Sequence, residues 1–261
     1  MTSVERHYFV NTLINNNRIK GYFNCGFVRD KIVKSASLVP LHYHTGLKKK
    51  CIILGKEKGY PYNDLYNFFG GKREQYTNSQ ITDTLFTLFD ETYEEFGMIL
   101  EPDNFLKCLL GIKSARAGRN GVSVLFFVHL TGMSRKLWNS VYHMRQNNGY
   151  MSKYLEMSEI SHVPIDTLHL QRVSKFVFNN IGFILEMVSY ISPLNAVHVS
   201  NFRFDGQLTI KKSNSLKRLE NVKWIKKHSE SIEKSLEPKN DPTDYGFIIL
   251  MVCVILMCII V

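Results

Sequence analysis

The chain is short of the features that mark several large classes of protein. Its five cysteines, Cys25, Cys51, Cys108, Cys253 and Cys258, form no C-x-x-C pair, and no N-x-S/T acceptor site is present. A disulfide-built secreted domain is thereby set aside, and a reduced cytosolic domain is the expectation. No apolar run opens the chain, because Glu5, Arg6 and His7 interrupt it, which speaks against a secretory signal. Charged residues are 21% of the 261, too few for a disordered polyelectrolyte, while 44% hydrophobic residues suffice for a core. Acids are the scarcer charge, 23 against 33 bases, and the net +10 favours anionic partners: phosphates, nucleic acid or lipid headgroups.

What is present centres on residues 69–98, FGGKREQYTNSQITDTLFTLFDETYEEFGM. Ser79, Thr82 and Asp83 are candidate N-caps, with Thr82 or Asp83 preferred, and Gly97 stands where a C-cap glycine belongs. A helix of about fourteen residues fits between them. At 100° per residue Glu94 and Glu95 fall at about −60° and +40° from Glu91, so the three share one face. Leu85, Phe86, Phe89, Tyr93 and Phe96 take the other side as the buried stripe. Like charges at these spacings repel unless a metal ion or a basic side chain offsets them. For the helix taken alone, an ordinary solvated acidic face is the plainer alternative.

The run Glu91-Thr92-Tyr93-Glu94-Glu95-Phe96-Gly97-Met98, preceded by Gly70-Gly71-Lys72-Arg73-Glu74, resembles the signature box of the Nudix hydrolases. Residues 51–56 resemble that family's strand before the box, and residues 159–166 its late segment, so the likeness covers roughly residues 20–192. It implies a Nudix-like α/β/α sandwich around a mixed sheet, and cleavage of a nucleoside diphosphate linked to another group. It also implies Mg²⁺ or Mn²⁺ held by Glu91, Glu94 and Glu95, with Glu91 orienting or deprotonating the attacking water. Gly70, Gly71 and Lys72 are the implied substrate-side residues, the glycines allowing positive φ or a close backbone approach. Glu74, Asp83 and Glu159 are auxiliary acids, and Glu156 and Glu159 reserve bases from a later loop. The box also departs from the family pattern. Asp90 stands where an arginine usually precedes the first helix glutamate, and Thr82 where a glutamate is usual. The loop before the helix is longer, and Phe69 replaces a common proline.

Elsewhere, residues 21–28 read as the opening strand of the sheet, and His42-Tyr43-His44 as a polar loop with no third metal ligand in view. Residues 106–112 and 122–130 read as strands joined by a basic loop, with a hairpin turn at Asn120-Gly121. Arg116 and Arg119 on that loop either grip substrate phosphates or mark a solvated hairpin tip. Residues 138–151 read as a lid-like insertion whose Trp138, Tyr142 and Tyr150 either stack a base or pack their own loop, and 167–191 as one long amphipathic helix.

Three segments result: 1–192 as the Nudix-like domain, 193–244 as an extension, and 245–261 as a transmembrane tail. The extension contains a hairpin turning at Asp205-Gly206, a basic amphipathic helix over 215–236 and a linker with two prolines. From 246 to 261 no residue is charged, which reads as a single-pass C-terminal anchor in membrane lipid with the globular part cytosolic. Two functions follow as expectations. One is a membrane-tethered, metal-dependent diphosphate hydrolase acting on a nucleotide derivative or on capped RNA. The other is a catalytically impaired scaffold that binds a phosphorylated ligand or a protein at a membrane. The oligomeric state is left open.

Overall fold

Helices α1 (Ser3–Ile14), α2 (Asn17–Asn24) and α3 (Gly26–Arg29) precede strands β1 (Ile32–His44), β2 (Lys49–Glu57), β3 (Tyr66–Asn67) and β4 (Phe69–Lys72). Then come α4 (Gln80–Glu91), β5 (Met98–Ile99), α5 (Pro102–Cys108), β6 (Leu109–Arg116), β7 (Gly121–Thr131), α6 (Arg135–Asn147) and β8 (Met157–Pro164). Helices α7 (Lys175–Asn179) and α8 (Ile181–Val188) and strands β9 (Val197–His198) and β10 (Arg203–Phe204) complete the order. This computed structural model describes residues 2–59, 63–150 and 155–204. The chain divides into two units, Met1–Gln207 and Leu208–Val261. The second unit lies outside the described residues, and so do the Asp205-Gly206 turn, the 215–236 helix, the linker and the apolar tail. Among the described residues no helix is long and apolar enough to cross a membrane.

The sheet is mixed, as expected. Strands β3, β2, β1, β7 and β6 lie side by side in that order, with β8 added to β2, β9 to β7 and β4 to β1. β1 runs parallel to β7 and antiparallel to β2 and β4. Its thirteen residues serve two partners: Leu41–His44 pair with β2, and Ser35–Leu38 pair with β4. That division brings the double glycine onto the sheet beside the first half of β1.

Alternation along the strands builds two cores. Ala36 and Leu38 of β1, with Val124, Phe126 and Val128 of β7, face α1, α2, α4 and α5 through Phe9, Leu13, Ile19, Leu85, Phe89 and Phe105. Val39 and Leu41, with Ile52, Leu54, Leu125 and Phe127, face α7 and α8 through Val177, Ile184 and Met187. β7 is buried on both faces, which accounts for its nearly unbroken apolar run. The result is helices on both sides of one sheet.

Four sequence expectations are corrected. Residues 21–28 are helical: Asn16 caps α2 by accepting from the Arg18 and Ile19 amides, and Ile19 and Phe23, four apart, are its buried pair. The sheet therefore opens at Ile32. Residues 102–108 form α5, with Pro102 in its first turn, before β6 starts. The 138–151 segment belongs largely to α6, whose Trp138 and Val141 are buried. The long helix over 167–191 breaks up, because the Tyr66 amide donates to Arg172 O and the Ser174 amide to Tyr66 O, which pulls 172–174 into an extended bridge beside β3. Ser174 then caps α7, and α8 follows Asn180. Residues 197–204 belong to the first unit, joined to it by the pairings of β9 with β7 and β10 with β5.

Candidate functional site

The glycine pair has a steric reason. Gly70 and Gly71 sit opposite Ser37 and Ala36 on β1. A Cβ on Gly70 would lie 2.2 Å from the Ala36 carbonyl oxygen, and one on Gly71 would lie 2.0 Å from Oε1 of Glu91. Close approach, rather than positive φ, is what these glycines provide. The Gly70 amide also donates to Glu95 Oε2 at 2.6 Å.

The lengthened loop before α4 is folded by Asp83. Its carboxylate accepts from the Tyr76 amide, the Thr77 amide and the Thr77 hydroxyl, and pairs with Arg73 at 3.0 Å. Arg73 Nε in turn donates to Val33 O, tying the loop to β1. Ser79, rather than Thr82 or Asp83, caps the helix, through Oγ and the Thr82 amide. Asp83 is thus a buried organiser of the loop.

At Glu91 the α-helix gives way to a π-helical turn, Thr92–Phe96, which closes on Gly97 at φ 82°. Gly97 is the C-cap glycine that the sequence indicates. The wider turn advances each residue by less than 100°, so the three glutamates do not keep the arrangement of an α-helical wheel. Glu91 and Glu94 line the cavity on the open side of the helix. Glu95 is buried next to Glu91, its Oε2 accepting from the Gly70 amide, and is not part of the cavity lining. The carbonyls at the turn are held by Arg145 of α6, which donates to Tyr93 O at 2.6 Å and Glu94 O at 2.8 Å and lies over the Tyr93 ring. Arg145 is only 2% exposed. It adds a second donor to the Tyr93 carbonyl, which also accepts from the Gly97 amide, and supplies one to the Glu94 carbonyl in the last turn.

The cavity holds about 530 Å³. Thr2, Ser3 and Arg6 of the N-terminal segment form one wall, and Lys72, Glu74 and Tyr76 another. Thr87, Asp90, Glu91, Glu94 and Glu156 complete the lining. Burial, then the charges of Glu94, Glu156, Asp90 and Glu74, push the Glu91 carboxyl up to about 8. Burial and the neighbouring Glu91 and Glu57 hold Glu95 well above the ordinary range, against the lowering effect of the Gly70 amide. Burial also raises Asp90, with Arg6 opposing.

Carboxylates lining one cavity are the donors a hard divalent cation takes. Glu91 and Glu94 offer that chemistry from the helix and Glu156 from across the cavity. Among the described residues no three His, Cys, Asp or Glu side chains converge as a coordination shell.

Other expected site residues lie elsewhere. Glu159 on β8 accepts from Tyr66 and Arg135, and it does not line the cavity. Arg116 and Arg119 sit at the β6–β7 hairpin tip, where Gly118 takes the positive φ, and they too are outside the lining. Trp138 and Tyr142 stack on each other at 5.2 Å, packing their own helix. His42 and His44 lie on β1 rather than in a loop, and Nε2 of His42 shares a 2.8 Å hydrogen bond with Nδ1 of His162 on β8. Burial pushes His42 down to about 3 and His162 to about 4, so both rings are neutral at pH 7.

No family model and no curated protein matches the chain. Solved structures do. The NUDIX domain of Shewanella oneidensis NrtR, complexed with ADP ribose, is 13% identical over 71% of this chain and 98% of its own, with a TM-score of 0.38. RenU, a Nudix hydrolase from M. smegmatis, is 11% identical over 62% and 89%, with a TM-score of 0.37. A bifunctional NMN adenylyltransferase/ADP ribose pyrophosphatase from Francisella tularensis, complexed with AMP and a Mn ion, is 12% identical over 71% and 48%, with a TM-score of 0.41. Two of these three are Nudix proteins by name.

Two groups in this site carry no sequence signal of their own. Arg6 reaches the box from 84 residues upstream, and Arg145 approaches the Glu94 carbonyl from 51 residues downstream. Only proximity in the fold identifies them.

Proposed function

We propose that the chain is a Nudix-type hydrolase that cleaves the diphosphate linkage of a nucleotide derivative with Mg²⁺ or Mn²⁺. The observation that carries this reading is the Glu91 carboxylate. It rests against Gly71, where a Cβ would displace it, and shares its cavity with Glu94 and Glu156. Glu91 and Glu94 would hold the cation, which supplies charge neutralisation at the diphosphate and acidifies a water when bound. Burial and the neighbouring carboxylates raise the Glu91 carboxyl in the metal-free protein, and a bound cation would favour the ionised form that can orient or deprotonate a water. Glu95, next to Glu91, is the third residue of the proposed metal-binding set, and its Oε2 also fixes the Gly70 amide and with it the strand that carries Gly71. Lys72 lines the cavity and offers a positive charge to phosphate oxygens. Glu156, facing Glu91, is the second candidate base. The apolar 246–261 segment would tether this chemistry to a membrane, and the net charge of +10 suits an anionic substrate.

The test is a panel of nucleoside diphosphate derivatives and capped RNA, incubated with the full-length chain and Mg²⁺ or Mn²⁺. Cleavage that Glu91→Gln with Glu94→Gln abolishes supports the reading. Metal-independent binding without turnover, or turnover that the double substitution leaves unchanged, overturns it in favour of a binding scaffold.

A further inference from the structure

The residue before Glu91 is an acid, and its partner comes from the far end of the sequence. Arg6 Nη2 lies 2.5 Å from Asp90 Oδ2. The Arg6 guanidinium carbon sits 4.3 Å from the Tyr76 ring centre and 4.2 Å from that of Phe86, with both rings in cation–π contact. The helix that carries Arg6 is firmly docked. Phe9, Val10 and Leu13 are buried, Phe9 packs on Phe89 and Phe105, and a capping box fixes its first turn. Arg6 Nε and Asp90 Oδ1 are buried without a hydrogen-bond partner, while Asp90 Oδ2 takes both Arg6 Nη2 and, at 3.4 Å, the Tyr76 hydroxyl. Both residues line the cavity.

Without Arg6, Asp90 would be a further carboxylate beside Glu91 and Glu94, free to compete for any cation they hold. We propose that Arg6 is a positioning residue: it sequesters Asp90 from the cation that Glu91 and Glu94 would bind, so helix α1 completes the site. A planar guanidinium clamped by aromatic contacts loses little freedom in holding that geometry, which suits arginine better than lysine. The inference rests on the proposed metal-dependent reaction.

The test uses the full-length chain, Mn²⁺ alone, and electron paramagnetic resonance to count free ion. Methionine keeps the unbranched stem between the rings and removes the charge, so Arg6→Met is the informative variant. Its Mn²⁺ affinity is expected to rise about tenfold as Asp90 is released to the cation. Its kcat on a diphosphate substrate is expected to fall about tenfold with KM within about twofold. Adding Asp90→Asn to Arg6→Met should return the Mn²⁺ affinity to within about twofold of wild type. A pair that merely staples two helices would lower thermal stability and leave Mn²⁺ affinity unchanged, and that result overturns the inference. Should Arg6→Met fail to fold, Asp90→Asn decides alone. It leaves the Arg6 charge unpaired at the cavity and is expected to weaken Mn²⁺ about tenfold, whereas unchanged affinity overturns the proposal. Wild-type protein that binds Mn²⁺ but cleaves no diphosphate would sink the hydrolase reading while the Mn²⁺ comparisons still judge Arg6. Wild-type protein that binds no Mn²⁺ overturns both.

Discussion

Replacing Glu91 by glutamine should make the metal-free protein more stable at alkaline pH. The Glu91 carboxyl is lifted from the ordinary 4.5 to about 8, first by burial and then by Glu94, Glu156, Asp90 and Glu74. The folded state therefore holds this proton more tightly than the unfolded chain does. Its contribution to stability is complete below pH 4.5 and is lost as pH rises toward and through about 8. A rise of that size corresponds to on the order of 5 kcal/mol at about 1.4 kcal/mol per pH unit. The side chain keeps some solvent access, and screening reduces the effect to about half, ~2–3 kcal/mol. Glutamine keeps the shape beside Gly71 and does not titrate. With about 2–4 °C per kcal/mol for a domain of this size, metal-free Glu91→Gln at pH 8 should melt roughly 5–10 °C above wild type. At pH 4 the two should coincide. Calorimetric scans from pH 4 to 9 in chelator give the comparison, with a residual slope expected from Glu95, whose carboxyl is also raised. Added Mg²⁺ should recover wild type above pH 7 and leave the variant unmoved. Parallel pH profiles for the two proteins would refute the reasoning, because the titrating group would then not be Glu91.

Gly71→Ala introduces a Cβ that would meet Glu91 Oε1 at 2.0 Å, so it should cost at least about a hundredfold in kcat while changing Tm little, read by steady-state kinetics beside melting. Arg145→Met removes two charge-assisted hydrogen bonds to the Tyr93 and Glu94 carbonyls and the cation–π contact with Tyr93, and should destabilise by about 2–3 kcal/mol in urea unfolding; a loss below about 1 kcal/mol would show that water replaces the guanidinium. Arg116→Ala with Arg119→Ala, at the exposed hairpin tip, should keep kcat/KM within about twofold, and a tenfold fall would return these residues to the substrate side. Full-length protein should sediment with membranes and a 1–244 truncation should not, so equal partitioning in cell fractionation would dispose of the anchor.

The legible parts of the site are those contiguous in sequence. The acidic helix and Gly97 declare a helix and its cap through local chemistry, and both form in the fold, while Gly70-Gly71 provide the close approach expected of them from a short strand that the sequence does not announce. Periodicity misleads where helical and extended patterns overlap. Residues 21–28 hold aromatics that satisfy either period, and the Asn16 cap decides for helix. The 167–191 stretch has helical spacing, yet its backbone is diverted at 172–174 by pairing with Tyr66, a tertiary contact no local pattern encodes. An α-helical wheel places Glu91 and Glu95 side by side, and both meet the strand of the double glycine, Glu91 at Gly71 and Glu95 at the Gly70 amide; what the wheel does not show is that Glu95 is buried there. Asp90 looks like a defect in the box until Arg6 arrives beside it, and that pairing exists only after α1 docks on α4.

The central claim is that Glu91 and Glu94 support attack of water on a diphosphate. Its most direct test is product analysis by mass spectrometry after incubating the full-length chain, Mn²⁺ and a nucleoside diphosphate derivative in ¹⁸O-water. The account predicts one ¹⁸O atom on a single phosphate product, absent with Glu91→Gln and Glu94→Gln. Intact substrate across the panel, or label incorporation that survives both substitutions, would contradict it.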